Sequence, residues 1–195
     1  MNIKEVEKLT DEQRIGMIAE RMQDIITLLG DDTAREGLVK TPMRSAKALY
    51  YLTSGYRSDA DRVMQSAIFR HEGSQVVIVR DIEFYSLCEH HVLPFFGKVS
   101  VAYIPGDSIV GLSKLARVVN ICARKLQVQE RLTREICDIV LRTLSARGVI
   151  VKCEAEHLCM KMRGVEKQDA STVTVEYNGI FCDDAALRRE VLAQL

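Results

Sequence analysis

The sequence lacks an excess of charge of either sign, because 27 Lys and Arg residues balance 27 Asp and Glu residues. A chain without a global basic field does not attract nucleic acid or an anionic membrane, so any anion has to be bound locally. Residues 1–14 contain no continuous hydrophobic run, which matches neither a secretory signal nor a membrane anchor. We therefore expect a cytoplasmic protein that binds neither nucleic acid nor membrane.

A dense cysteine framework is also missing. Six cysteines are spread over positions 88, 122, 137, 153, 159 and 182, unlike the compact patterns of small secreted domains. In a reducing compartment we interpret four of them as core thiols and two as metal ligands. The chain has no internal repeat or low-complexity segment, and 195 residues of which 47% are hydrophobic suffice for one good core.

The secondary-structure signals place helices first and strands later. Thr10-Asp11-Glu12-Gln13 is a capping box that predicts a helix up to Gly30, and Thr41-Pro42 predicts a second helix with Thr41 as N-cap, ending near Gly55. Further patterns predict strands over 76–84 and 98–104, helices over 114–125 (capped by Ser113) and 130–146, strands over 149–156 and 171–177, and a last helix capped by Asp183 or Asp184.

This element order predicts an α+β fold in which an antiparallel sheet is backed by helices on one face. The four predicted strands and the two long helices between them form the body of that fold. We expect an N-terminal helical region over 1–56 and the body of the fold over 57–195.

Metal-binding side chains are concentrated in two short clusters. Only four histidines occur, and three of them lie beside two cysteines: Cys88, His90, His91, His157 and Cys159. Imidazole nitrogen and thiolate sulfur are the donors that Zn²⁺ prefers in tetrahedral sites. Cys88 and His91 are three apart in a predicted turn, and His157 and Cys159 are two apart and would share one face of a strand.

These five candidates exceed the four positions of a tetrahedral ion. A structural site uses four protein donors, whereas a hydrolytic site uses three and leaves one position for water. Either cluster alone is weak, because a buried cysteine is more often a small hydrophobic side chain than a ligand. Both clusters together favour a metal site, and the surplus of donors favours catalysis.

Basic side chains form a second candidate feature. Lys114 and Arg117 are three apart at the start of a predicted helix, where free backbone N–H groups also favour a phosphate. Arg163 follows the second cluster and could complete a basic pocket. For any one of these residues alone, a solvated surface is the more common outcome, and Glu130 matches an ordinary first-turn acid.

With both clusters in view, the chain resembles the GTP cyclohydrolase I family from the segment before Arg35 through Phe181. Four motifs occur in the family's order: Cys88-Glu89-His90-His91 with Pro94-Phe95-Phe96-Gly97, Gly111-Leu112-Ser113-Lys114-Leu115-Ala116-Arg117, Gln127-Val128-Gln129-Glu130-Arg131-Leu132-Thr133, and His157-Leu158-Cys159-Met160 with Met162-Arg163-Gly164-Val165. Four motifs in one order form a specific signature.

The resemblance implies a tunnelling-fold enzyme that acts as a decamer of two pentamers with active sites between subunits. It implies conversion of GTP to 7,8-dihydroneopterin triphosphate and formate, an early step of folate and tetrahydropterin synthesis. It assigns one Zn²⁺ per subunit to Cys88, His91 and Cys159, and proton transfer to His90 and His157. The implied substrate contacts are Glu130 and Gln129 for guanine and Ser113, Lys114, Arg117, Arg163 and, from a neighbouring subunit, Arg44 for triphosphate.

Two features qualify the resemblance. Val175-Glu176-Tyr177 replaces a small polar run of the family, which affects local contacts but no ligand. The segment before Ile15 is short, so we expect no feedback regulatory protein as a partner. Two other functions stay open: a non-catalytic assembly module closed by four zinc ligands, and a tunnelling-fold enzyme acting on a deazapurine nitrile with a reactive cysteine and a nicotinamide cofactor.

Overall fold

The computed structural model describes residues 2–195 and divides between Thr53 and Ser54 into two compact units. Met1, the first residue of the predicted helical region, lies outside the described residues. Each unit carries its own secondary structure, and the metal-ligand clusters lie on the longer, C-terminal unit.

The N-terminal unit contains three helices, α1 (Ile3–Val6), α2 (Asp11–Leu28) and α3 (Thr41–Leu52). The predicted capping box is confirmed, because the Thr10 hydroxyl accepts from the Gln13 N–H at 3.2 Å and the Thr10 N–H donates to the Gln13 amide oxygen at 2.8 Å. The predicted N-cap role of Thr41 is wrong. Thr41 is the first residue of α3 and its hydroxyl donates to the Gly37 carbonyl at 3.4 Å.

The C-terminal unit alternates helices and strands. Its elements are a 3₁₀ helix (Ser54–Arg57), α4 (Ala60–Gln65), β1 (Ile68–Arg70), β2 (Val77–Cys88), β3 (Pro94–Ile104), β4 (Ser108–Val110), α5 (Leu112–Ala123), β5 (Leu126–Gln127), α6 (Gln129–Leu144), β6 (Gly148–His157), α7 (Leu158–Lys161), β7 (Thr172–Gly179), α8 (Ile180–Asp183) and α9 (Ala185–Leu192). The predicted cap of the last helix is confirmed at Asp184, whose carboxylate accepts from two backbone N–H groups of α9.

The main sheet has the strand order β5-β2-β3-β6-β7. β2, β3, β6 and β7 form the predicted four-stranded antiparallel sheet. The two-residue strand β5 adds a fifth, parallel member, in which Cys88 pairs with Gln127. This extra pairing ties the end of β2 to the segment that leads into α6. β1 and β4 form a separate two-stranded sheet.

The main sheet carries cores on both faces. Helices α5 and α6 cover one face, as predicted, with Leu115 and Ile136 among the buried side chains that pack against Phe95 and Val99. On the other face, Phe181 and Val191 from the C-terminal segment pack over Ile150 and its neighbours. That α9 covers this face was not predicted from the sequence. Alternation along β3 and β6 explains the result, because successive side chains of a strand point to opposite faces.

The run Val175-Glu176-Tyr177 lies on β7, which is an edge strand. The Glu176 carboxylate lies 3.8 Å from the Arg134 side-chain nitrogen on α6. On the opposite face, the Arg188 guanidinium of α9 lies 4.5 Å from the centre of the Tyr177 ring. The departure from the family pattern therefore has local partners on both faces of the strand.

Gly97 allows the neighbouring strands β3 and β6 to approach each other closely. A Cβ at this position would lie 2.0 Å from the Glu154 carbonyl oxygen and 2.7 Å from the Ala155 Cα, and neither backbone atom can rotate away. We expect Gly97→Ala to lower the free energy of unfolding by about 1–3 kcal/mol. Urea denaturation measures this change as a lower midpoint.

Gly16→Ala is the matched control for that substitution. Gly16 lies inside α2, and its added Cβ would meet no atom within 4 Å. We expect a gain of about 0.5–1 kcal/mol, because alanine favours the helix over glycine. An unchanged midpoint for Gly97→Ala would mean that β3 and β6 are farther apart than this structure shows.

Candidate metal centre and surrounding cleft

The first cluster is a tight turn between β2 and β3. The Cys88 N–H donates to the Leu93 carbonyl at 2.8 Å, and the Val92 N–H donates to the Cys88 carbonyl at 2.8 Å. Val92 closes the turn with a φ of 55°, a left-handed conformation that is rare for a β-branched residue. The turn places the Cys88 sulfur 3.8 Å from Nδ1 of His90 and 3.8 Å from Nδ1 of His91.

The second cluster lies where β6 changes into α7. His157 is the last residue of β6 and pairs with Phe95, while Cys159 lies inside the short helix α7. The expectation that His157 and Cys159 share one face of a strand is therefore wrong. The β3–β6 ladder ends at the Phe95–His157 pair, beside the start of β3 at Pro94, and the chain turns into a helix immediately afterwards.

The fold brings three donors from the two clusters together. The ligand atoms of Cys88, His91 and Cys159 all lie within 4.8 Å of one another, whereas His90 and His157 do not join this group in the described residues 2–195. Tetrahedral zinc with bonds of about 2.1–2.3 Å separates its ligand atoms by about 3.6 Å, close to the 3.8 Å between Cys88 and His91. Two sulfurs and one imidazole nitrogen therefore fit a metal that prefers such donors.

The Cys159 thiol is affected by its surroundings. Burial and the neighbouring Cys88 raise the pKa of the Cys159 thiol, and the positive charge of Arg163 acts in the opposite direction. Two adjacent thiolates repel each other unless a cation lies between them. The arrangement is therefore suited to a bound metal ion.

His157 is held rigidly against the protein. Its ring stacks on Phe95 with centroids 4.7 Å apart and planes at 3°, and its Nε2 lies 2.8 Å from the Gln129 side-chain oxygen. Burial lowers the pKa of His157, while the nearby Glu130 carboxylate partly opposes that shift. The imidazole is therefore held in one orientation by Phe95 and Gln129.

Gln129 and Glu130 begin α6 but face different surroundings. Gln129 is only 2% exposed, and its amide is fully engaged inside the protein. Glu130, in contrast, is exposed. The physical reason is its position in the first turn, on the side of α6 that points away from the sheet. Within residues 2–195 no ion pair holds the Glu130 carboxylate.

The predicted phosphate contacts are placed on three separate segments. Ser113, Lys114 and Arg117 lie on the first turns of α5, Arg163 follows α7, and Arg44 lies on α3 of the N-terminal unit. The predicted N-cap role of Ser113 is wrong, because α5 begins two residues earlier than predicted, at Leu112, with Gly111 as N-cap. Among these residues, Arg163 acts electrostatically on the donor group, through Cys159.

The structure also shows site residues that sequence reasoning missed. Arg131 pairs with the carboxylate of Glu89, which lies in the turn between β2 and β3 (the metal turn), and donates to the Gln127 side-chain oxygen at 2.7 Å. Phe95 supplies the surface on which His157 stacks. Both residues stand within motifs that were singled out, but their contacts depend on strand register and helix position, which those motifs do not encode.

The donor group is unevenly exposed: Cys88 is buried, Cys159 is partly buried and His91 is exposed. One cavity of about 460 Å³ lies on the face of the sheet opposite α5 and α6 and is lined in part by Tyr85, Phe96 and Lys152. Another of similar volume lies beside Glu89 and Arg131. Neither is lined by Cys88, His91 or Cys159. Within the described residues, the donor group is therefore open to solvent on the side of His91.

Comparison with known proteins decides the family. Residues 18–195 match the sequence profile described as GTP cyclohydrolase I. The chain belongs to the GTP cyclohydrolase I family. The predicted tunnelling-fold α+β class is confirmed by this membership and by the observed sheet and helices.

Individual relatives agree over most of the chain. A protein named GTP cyclohydrolase 1 from Bacteroides thetaiotaomicron is 56% identical over 168 residues, covering 86% of this chain and 85% of its own length. Proteins of the same name from Porphyromonas gingivalis and Chlorobaculum tepidum are each 50% identical, covering 96% and 93% of this chain and 95% and 81% of their own lengths. Among solved structures, the apo crystal structure of the archaeosine synthase QueF-Like has a TM-score of 0.45 at 16% identity, covering 55% of this chain and 97% of that one.

Over residues 2–195, every helix is too short or too polar to cross a lipid bilayer.

Proposed function

We propose that this GTP cyclohydrolase I family member opens the imidazole ring of GTP by hydrolysis, releases formate, rearranges the sugar and closes a new ring to give 7,8-dihydroneopterin triphosphate. This product is the precursor for folate and other pterins. One observation carries the proposal: Cys88, His91 and Cys159 converge from two distant segments, beside a rigidly held His157. The relatives named GTP cyclohydrolase 1 support the choice of substrate.

The proposed metal is one Zn²⁺ per chain, held by Cys88, His91 and Cys159. Three protein donors are the number typical of a hydrolytic zinc site, whereas a structural site uses four. When bound, zinc supplies a water molecule whose pKa falls from about 15.7 to about 7, so that hydroxide is available at neutral pH. This donor count supports hydrolysis over the four-ligand assembly module, and the shared metal group also argues against a cysteine-based reaction on a nitrile.

Two histidines outside the donor group serve proton transfer in this proposal. His157 would protonate N7 of the purine as C8 is attacked, which makes the ring a better electrophile. Its lowered pKa makes the imidazolium, once formed, a stronger acid. His90, whose Nδ1 is 3.8 Å from the Cys88 sulfur, would serve ring opening or the loss of formate.

Substrate binding would use the charged side chains around this centre. Glu130 would accept hydrogen bonds from the guanine edge, and Ser113, Lys114, Arg117 and Arg163 would hold the triphosphate. Arg44 would reach the triphosphate of a neighbouring subunit. Holding both ends of the opened intermediate would favour the later sugar rearrangement and ring closure, because positioning removes much of their entropic cost.

A decamer of two pentamers would complete the site. The exposure of His91 in the donor group supports this assembly, because hydrolysis of a bound purine requires a cleft that limits water. The edge strand β7 also presents exposed apolar side chains at Val173, Val175 and Tyr177, which another chain could cover. Six cysteines without disulfides support a cytoplasmic location.

The decisive experiment mixes purified, zinc-loaded protein with GTP. We expect formate release together with pterin fluorescence, and metal analysis of the same sample should give one zinc per chain. Zinc-loaded protein that leaves GTP unchanged, but unfolds when zinc is removed, would favour the assembly module.

Replacing His157 tests the proposed proton transfer. We expect His157→Ala to retain zinc and to lower ring opening by about 10²–10⁴-fold, the usual contribution of a positioned acid. Single-turnover formation of the formylated intermediate measures the effect.

His71→Ala is the matched control for that variant, since His71 lies outside both clusters and the donor group. It should retain normal turnover per folded chain. Normal ring opening in His157→Ala would remove the proposed role of this residue.

A further inference from the structure

The Gln129 side chain is surrounded by acceptors at one end and by His157 at the other. Its Nε2 lies 3.0 Å from the Cys153 carbonyl, 3.0 Å from the Thr172 carbonyl and 3.2 Å from the Thr174 hydroxyl. Carbonyl oxygens only accept hydrogen bonds, so the atom facing them must be the NH₂ group. The orientation of the amide is therefore fixed by its surroundings.

A loop of hydroxyl groups confirms that orientation. The Thr133 hydroxyl donates to the Gln129 backbone carbonyl at 2.8 Å, so its oxygen accepts from the Thr174 hydroxyl at 2.6 Å. The Thr174 oxygen in turn accepts from the Gln129 NH₂ group. Gln129 and Thr133 are 2% and 1% exposed, so water does not compete for these bonds.

The consequence concerns the two nitrogens of His157. Because the NH₂ group of Gln129 faces the strands, its carbonyl oxygen faces His157 Nε2 at 2.8 Å and can only accept. Nε2 must therefore carry a hydrogen, and Nδ1 is the nitrogen left with a lone pair in the neutral ring. A half-turn of the ring about its Cβ–Cγ bond would keep the stacking on Phe95 but put the carbon Cε1 at the place of Nε2, so the hydrogen bond to Gln129 selects this orientation.

We propose that Gln129 is a positioning residue, which holds His157 in the Nε2–H form so that Nδ1 is the atom that exchanges a proton with the substrate. The statement that Nδ1 exchanges its proton with a substrate rests on the proposed function. The position of the hydrogen on the His157 ring does not depend on that function. It also replaces the predicted guanine contact of the Gln129 side chain. Such a contact would break buried hydrogen bonds, each of which costs about 1–3 kcal/mol when left unmade.

The first test uses the unmodified protein. Four histidines in the chain make ¹⁵N-labelled histidine spectra simple, and the signal missing from His157→Ala identifies His157. At about pH 8, where the ring is neutral, we expect a protonated Nε2 and an unprotonated Nδ1 in the zinc-loaded protein. The opposite form, with hydrogen on Nδ1, would overturn the inference.

The second test uses Gln129→Met, which keeps side-chain length but removes the amide. We expect kcat for GTP to fall about 10²-fold, with zinc content unchanged and KM within about threefold, and the His157 spectrum should show a mixture of both forms. A higher KM for GTP with unchanged kcat would instead indicate that the Gln129 side chain contacts the substrate, which would contradict the proposal.

Gln127→Met is the matched control, because Gln127 is equally buried and its amide also bonds to a backbone carbonyl, that of Cys122, at 3.1 Å. It should lower stability by a similar amount and leave the protonation of His157 unchanged. A mixture of forms in this variant would mean that general loosening, and not the Gln129 contact, sets the ring, which would contradict the inference. Wild-type protein that shows Nε2–H but releases no formate from GTP would contradict the proposed function alone.

Discussion

Cys159→Ser is expected to abolish both zinc binding and formate release. The substitution removes one of the three donors that lie within 4.8 Å of one another. A serine hydroxyl is a poor substitute, because zinc binds an ionised thiolate and serine does not ionise at neutral pH. Metal analysis after dialysis should fall from one zinc per chain to near zero, and formate from GTP should fall to background.

The fold itself should tolerate this change. Cys159 is only partly buried and serine has nearly the same size, so we expect zinc-free wild type and Cys159→Ser to unfold at similar urea concentrations. Cys182→Ser is the matched control, since Cys182 is exposed and lies outside the donor group. It should retain full zinc and full activity. Full activity in metal-free protein would contradict the hydrolytic zinc proposal.

The sequence predicted most of the fold because its strongest patterns are local. A capping box at Thr10, an acidic cap at Asp184 and alternation along 171–177 all concern neighbouring residues, and the structure contains each of them. The exact residue that caps a helix was predicted less reliably. Thr41 and Ser113 both lie just inside the helices that they were expected to cap.

Candidate residues for the site could be named from the sequence, but the contacts between them could not be predicted. Residue type and spacing gave five candidate donors, the family resemblance implied Cys88, His91 and Cys159 among them, and the fold brings these three together. The stacking of His157 on Phe95 depends on the register between β3 and β6, which no local pattern specifies. The environment of Gln129 likewise depends on how α6 lies over β6 and β7, so its engagement inside the protein could not be predicted from its motif.

Glu130 differs from its two neighbours in the first turn of α6. Its neighbours in the first turn of α6 are committed to the protein: Gln129 contacts His157, and Arg131 pairs with Glu89 of the metal turn. Glu130 lies between them and is exposed, yet it is close enough for its charge to affect His157. The first turn of α6 therefore contacts both His157 and the turn between β2 and β3. The Glu130 carboxylate lies between these two contacts and is exposed.

Glu130→Gln is expected to reduce the preference for GTP over ATP by up to about 10⁴-fold, because a carboxylate that accepts two N–H bonds from guanine would be left unpaired by adenine. Competition between the two nucleotides measures the ratio of their kcat/KM values. Since Glu130 is exposed in the single chain, the free energy of unfolding should change by less than about 1 kcal/mol. Glu154→Gln, an exposed position on β6, should change neither quantity. An unchanged preference for GTP in Glu130→Gln would assign base selection to other groups, while a large loss of stability would make Glu130 a structural residue of α6.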